Sequence, residues 1–254
     1  MIRKTATMAL AALALGTTPA RAAEPSERVL VVVAHPDDEL FMAPAIAALA
    51  RQGHAVTIVF ATLGDQGPGV TDFERGPPLG AIRRAEAQCS ANALGVQARF
   101  LDGLGDGTLA ETPQAPKSPA LRFIDQFAKA YVETDPQLVL TWGPAGGYGH
   151  ADHRMVSAQV TMALQSLANQ YRARLLYVGI PAGSLPKVPQ MAGWAETDPA
   201  LLTETVRYSP ADLDAAKAAA MCHATQFDEA SRQGMMGLFD ATMWRGKVHF
   251  RPAF

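Results

Sequence analysis

Two short stretches hold most of the groups able to do chemistry in this 254-residue chain. His35-Pro36-Asp37-Asp38-Glu39 places an imidazole beside three carboxylates, and Tyr148-Gly149-His150-Ala151-Asp152-His153 places an acid between two imidazoles. Each stretch has an ordinary reading when taken alone. Acids after a proline stabilise a helix start through its dipole, and paired histidines are common in surface turns. An imidazole has no capping role among acids, however, and the adjacent Asp37 and Asp38 repel each other unless a cation compensates them. Taken together, the stretches offer His35, Asp38 and His153 as two imidazoles and a carboxylate. Three protein ligands with a position left for water is the pattern of a catalytic zinc site, and the same set suits iron(II).

The elements that must bring these groups together can be read on either side of them. Val29 to Val33 is a β-branched run that suits a strand covered on both faces, as in a parallel sheet. Residues 137–142 form a similar run before the second cluster. Both clusters therefore fall just past the carboxyl end of a strand, where open α/β sheets bind their ligands. Further strands are expected over 54–62, 98–101 and 174–180. Helices are expected over 36–51, 81–94, 120–133, 154–170 and 210–225. This alternation predicts βαβ units, hence an α/β, Rossmann-like fold with a largely parallel sheet and helices on both faces. Residues 63–80 read as a long Gly/Pro/Asp-rich loop, 103–107 as a second flexible segment and 181–199 as a flap. The tail from 247 is expected at a sheet edge or on the surface. Neither Gly103-Leu104-Gly105-Asp106-Gly107 nor Gly146-Gly147-Tyr148-Gly149 has the spacing of a dinucleotide or phosphate loop.

Composition narrows the class. Residues 1–22 have a charged start (Arg3, Lys4), an apolar stretch over 6–16 and the small-x-small sequence Ala20-Arg21-Ala22, as in a cleaved export signal. Eleven apolar residues fall short of the roughly 20 that span a bilayer, so no stable membrane anchor is expected. The expected organisation is a leader over 1–22 and a single domain over 23–254, exported to the periplasm or secreted. Removing the leader takes three of the 22 basic residues and none of the 24 acidic ones. A mildly acidic chain without Lys/Arg clusters is a poor nucleic-acid binder. Cys89 and Cys222 sit in Ala-rich helical stretches, where a small buried thiol is the usual outcome; an oxidising compartment would also let them pair.

The residues quoted above resemble a known family. Ala34-His35-Pro36-Asp37-Asp38-Glu39, followed by Gly147-Tyr148-Gly149-His150-x-Asp152-His153, resembles the PIG-L/LmbE-like zinc-dependent N-deacetylases. Arg83-x-x-Glu86, Leu94-Gly95-Val96, Asp106-Gly107 and His223-x-Thr225-Gln226 extend the likeness, with Thr225 where the family has serine. The resemblance implies zinc on His35, Asp38 and His153, with Asp37 as the general base toward the attacking water. It implies Tyr148 as an oxyanion donor, His150 as a charged partner oriented by Asp152, and Arg83 and Asp106 as sugar contacts. The implied substrate is an N-acetylated, or otherwise N-acylated, amino sugar or glycoconjugate. A zinc amidase for another amide and a non-catalytic sugar-binding module are the rivals. An acid that is not itself a ligand, Asp37, favours catalysis. Met235, Met236 and Trp244 read as core, His54 and His249 as structural or exposed, and His223 and Glu39 as supporting groups.

Overall fold

A computed structural model describes residues 26–254; the leader expected over 1–22 lies outside them. The central strand β1, Arg28–Val33, pairs in parallel with β2, Ala55–Phe60, on one side and β4, Leu138–Trp142, on the other. Strand β3, Gln97–Phe100, continues the parallel sheet beyond β2, and β5, Arg174–Gly179, continues it beyond β4. The chain thus runs outward from β1 to β3 and then returns to the opposite side of β1. That reversal opens a crevice between the carboxyl ends of β1 and β4, which is the topological switch point of the sheet.

Val29 to Val33 are fully buried, as a strand covered on both faces requires. Their side chains alternate between two cores. Val29, Val31 and Val33 meet the core that holds α1 (Ala43–Arg51) and α5 (Pro210–Cys222), with α2 (Pro77–Leu94) and α6 (Glu229–Phe239) packed on the same side. Leu30 and Val32 meet the other core, with α3 (Pro119–Thr134) and α4 (Ala151–Gln165).

Several expectations are revised. The stretch after β1 is not one helix: a 3₁₀ turn over Asp38–Met42 precedes α1. Helix α2 begins earlier than expected, on Pro77 and Pro78, whose fixed φ and missing N–H suit a first turn. Strand β6, Glu204–Arg207, and helix α6 were not anticipated, because the one is short and mostly exposed and the other carries two interior glycines. The tail strand β7, Lys247–Pro252, is not the edge. It lies antiparallel between β5 and β6, so the sheet order is β3-β2-β1-β4-β5-β7-β6. None of the helices among the described residues is long and apolar enough to cross a membrane.

The cysteines are bonded, not free: Cys89 in α2 and Cys222 at the end of α5 form a disulfide with a Cα–Cα distance of 5.8 Å. Neither is fully buried. The sequence could not show that α2 and α5 pack side by side. A cross-link spanning 133 residues restricts the unfolded chain strongly. The double variant Cys89→Ser/Cys222→Ser is therefore expected to lose about 2–5 kcal/mol of stability. In chemical denaturation, reductant should lower the midpoint of the wild type toward that of the variant and leave the variant unchanged.

Candidate metal and active site

The first cluster leaves β1 through a strained turn. Asp37 has φ 103° and ψ −21°, a left-handed backbone unusual for a residue with a Cβ and worth about 1–3 kcal/mol of strain. The surroundings hold it there. Its N–H donates to Glu39 Oε2 at 2.9 Å, while Glu39 Oε1 accepts from Ser90 at 2.6 Å and meets His223 Nε2 at 2.7 Å. Glu39 and His223 are both fully buried. Arg83 donates to the Pro36 carbonyl at 2.6 Å and stands 3.4 Å from the Asp37 carboxylate. Sequence reading placed Glu39 and His223 only as supporting groups and missed Ser90; nothing local links residues so far apart.

Three side chains from the two strand ends converge. His153 Nε2 lies 3.0 Å from Asp38 Oδ1 and 3.1 Å from His35 Nδ1, and His35 Nδ1 lies 3.6 Å from Asp38 Oδ2. Atoms bound tetrahedrally at about 2.0–2.2 Å from one ion stand about 3.3–3.6 Å apart; His153 Nε2 is near that spacing from both partners, while His35 is measured against Asp38 Oδ2 and not the Oδ1 that meets His153. Asp38 is pinned for the purpose: its Oδ2 accepts the N–H groups of Ala34 at 3.0 Å and His35 at 2.8 Å. His153 is stacked on Trp142, with ring centroids 5.3 Å apart and planes 7° apart. Its buried Nδ1 lacks the hydrogen-bond partner that ligating imidazoles usually have. Two other triples also come together, His35/His150/His153 and His35/Asp106/Asp152, each with its ligand atoms within 4.8 Å of one another.

The electrostatics of the cluster call for a cation. Burial works against a charge on His35, but hydrogen bonds to Asp106, Asp152 and Asp38 outweigh it and raise the imidazole well above its ordinary value. Burial likewise opposes ionisation of Asp38, yet the adjacent His153 and His35 hold it well below the usual carboxylate range. Without a metal, protons on imidazole neutralise the acids; a divalent ion does the same for a neutral imidazole pair. Asp37 differs. Burial pushes it up to about 6, with Arg83 opposing and Asp38 reinforcing the shift.

Not every expected role matches the contacts. The Asp152 carboxylate does not orient His150. It is fully buried and accepts the N–H groups of Gly107 at 2.7 Å and Leu109 at 3.0 Å, with His35 Nε2 3.3 Å away. The buried loop amides need an acceptor, and Asp152 is the carboxylate that reaches them. His150 instead caps α4, its Nδ1 accepting the Asp152 N–H at 3.2 Å. Burial and then the neighbouring His35 and His153 lower its pKa, so its resting form is neutral and not a charged partner. Arg83 is not placed to touch a sugar. It is only 3 % exposed and is engaged by backbone carbonyls, including Gly64 at 2.8 Å. Asp106 does face the cluster, 3.0 Å from His35 Nε2, and its Oδ2 accepts the Gln66 N–H at 3.1 Å. Tyr148 stands half exposed over the site, edge-on to His150 and His153. Burial and then Asp38 and Asp37 raise its phenol, which stays a proton donor.

A parallel-sheet α/β fold with an imidazole–carboxylate cluster at its switch point defines the class of protein. The PIG-L family, described as GlcNAc-PI de-N-acetylase, matches residues 30–164, and the chain belongs to it. It is 34% identical over 229 residues to a 1D-myo-inositol 2-acetamido-2-deoxy-alpha-D-glucopyranoside deacetylase of Corynebacterium diphtheriae, covering 78% of this chain and 76% of the relative. It is 37% identical over 160 residues to the protein of that name in Rhodococcus erythropolis, covering 56% of this chain and 54% of the relative. The chain thus spans between about half and three quarters of the length of these two relatives. Among solved structures, N,N'-diacetylchitobiose deacetylase from Pyrococcus horikoshii superposes with a TM-score of 0.66 at 20% identity, over 90% of this chain and 84% of that one. At that identity the likeness shows the fold.

Proposed function

We propose that this protein is a zinc-dependent hydrolase that removes an N-acyl group from an amino sugar. The observation that carries the reading is the convergence of the His35, Asp38 and His153 side chains beside a separate, strained acid, Asp37. The names of the relatives, as deacetylases of an acetamido-glucopyranoside, support the substrate class. His35, Asp38 and His153 are the ligands. Asp38 is preferred to His150 because the two backbone amides that hold its Oδ2 aim its Oδ1, whereas the capping bond at Nδ1 leaves the His150 Nε2 for proton transfer. When bound, the ion supplies Lewis acidity to the amide carbonyl and acidifies a water.

The chain's own groups do the rest. Asp37, with a carboxyl that burial has made a better proton acceptor, takes the proton of the attacking water. Tyr148, which keeps its phenolic proton, donates to the carbonyl oxygen as negative charge develops there. His150 is neutral at rest and takes up a proton as that charge builds beside it, then releases it to the departing nitrogen. The Cys89–Cys222 disulfide supports export, since such bonds persist in oxidising compartments; the leader-like composition of residues 1–22 agrees with it. The proposed product is thus an exported enzyme with one catalytic unit.

Release of carboxylate and free amine from a panel of N-acylated glucosamines, with metal analysis of the purified protein, tests the reading. Hydrolysis that is lost on chelation and restored by zinc is expected. A zinc-loaded protein that cleaves none of them would overturn it.

A further inference from the structure

A cavity of about 620 Å³ opens beside Asp37, Asp38 and Tyr148 and extends away from the cluster between residues 188–194 and helix α6. Its walls are Phe41, Trp142, Trp194, Met191, Met235 and Leu238; beyond the site itself its polar groups are the Gln190 and Ser231 side chains and the indole N–H groups of Trp142 and Trp194, the latter already donated to the Gln190 carbonyl. Phe41 stacks on Trp194 at 4.6 Å, which fixes one wall. Leu238 nevertheless remains 37 % exposed and Tyr148 50 % exposed, so the apolar surface is left uncovered. Hydroxyl-rich groups placed here would lose water without finding partners, whereas a hydrocarbon chain would gain by burial.

The position of the cavity identifies the part of the substrate that enters it. At a scissile amide the carbonyl carbon carries the acyl substituent on one side and the nitrogen on the other. His150, to which the hydrolase reading assigns the departing nitrogen, does not line the cavity, and neither do Asp106 and Gly107. The base, a ligand and the oxyanion donor do line it. We propose, on the basis of the hydrolase reading above, that this cavity holds the aliphatic tail of the acyl group, so that the substrate class is a medium- or long-chain N-acyl amino sugar. An acetyl group has only a methyl to place there and would leave the more distant walls, Met235 and Leu238, without an apolar partner. In the reaction water adds to the acyl carbon, the C–N bond breaks, and the products are a fatty carboxylate and a free amine that has gained the proton. The wall formed by residues 188–194 comes from the segment that the sequence motifs leave unassigned.

The experiment compares N-octanoylglucosamine with N-acetylglucosamine, and both with octyl N-acetylglucosaminide, in which the same tail sits on the sugar instead. Turnover is measured with the zinc-loaded wild type, and binding by calorimetry with Asp37→Asn. Each buried methylene is worth roughly fourfold, so octanoyl is expected to exceed acetyl by at least about tenfold in kcat/KM and in affinity, after imperfect fit is allowed for. Gly234 lines the cavity in α6, and a Cβ there meets nothing within 4 Å. Gly234→Phe should therefore project into the space without disturbing the helix, and should erase the octanoyl preference while affecting acetyl less. Equal affinity for octanoyl and acetyl overturns the inference, as does a preference for octyl N-acetylglucosaminide alone. So does a Gly234→Phe variant that weakens octanoyl and acetyl equally. Tight octanoyl binding with no hydrolysis of any amide keeps the cavity assignment and refutes the hydrolase reading; acetyl cleavage without octanoyl preference does the reverse.

Discussion

Asp37→Asn is expected to lower turnover of the N-acyl substrate by roughly 10²–10⁴-fold while leaving metal content and substrate affinity unchanged. Asparagine has nearly the same shape and tolerates a left-handed backbone, so the turn at φ 103° should survive. What it cannot do is accept a proton at neutral pH. Stability separates this effect from a folding defect. In metal-free wild type, the Asp37 pKa of about 6 lies above its unfolded value of 3.8. Its contribution is therefore fully present below about pH 4 and is lost as pH rises through 6. Asn cannot ionise, so the variant should match the wild type at low pH and be the more stable above pH 6. Thermal melts across that range, taken on chelator-treated protein, provide the check. Near wild-type turnover with zinc bound would reduce Asp37 to a residue of the turn.

His35→Ala, His153→Ala and Asp38→Asn should each lose more than about 100-fold in zinc affinity. Removing a mere hydrogen-bond partner of a ligand typically costs 10–100-fold, and here a ligand itself is removed or loses its charge. His150→Ala should retain zinc, which distinguishes the proposed set from the alternative of His35, His150 and His153 that also comes within reach. Zinc retained in His153→Ala, or lost in His150→Ala, would overturn the assignment. Asp38→Ala is a less clean test, because the Ala34 and His35 amides would lose their acceptor at about 1–3 kcal/mol for each buried donor left unsatisfied. Comparing Asp38→Asn with Asp38→Ala separates loss of charge from loss of the turn.

The local features of this protein follow from its sequence. A short valine-rich run suits a strand covered on both faces, and Val29 to Val33 is one. The alternation of strands with amphipathic segments carries the parallel order. The placement of both clusters just past strand ends puts them at one crevice. His35, Asp38 and His153 stand out in the sequence because their side-chain types suit a metal and each lies beside a recognisable element, and the fold brings the three together.

Tertiary structure decided what depends on which distant groups meet. His35 and His153 are 118 residues apart, and His223 reaches Glu39 across 184. Asp152 sits two residues from His150, so sequence proximity suggested a pair, yet its carboxylate turns to the amides of Gly107 and Leu109. Arg83, expected as a sugar contact, is drawn inward by the carbonyls of Pro36 and Gly64. Cys89 and Cys222 bond because α2 and α5 lie side by side, which no feature near either cysteine records. The apolar cavity beside Asp37 and Asp38 is assembled from the 3₁₀ turn, β4, residues 188–194 and α6. Periodicity and motif report what a segment prefers by itself; the partner of a buried polar group is set by which unsatisfied donor or acceptor the topology brings within reach.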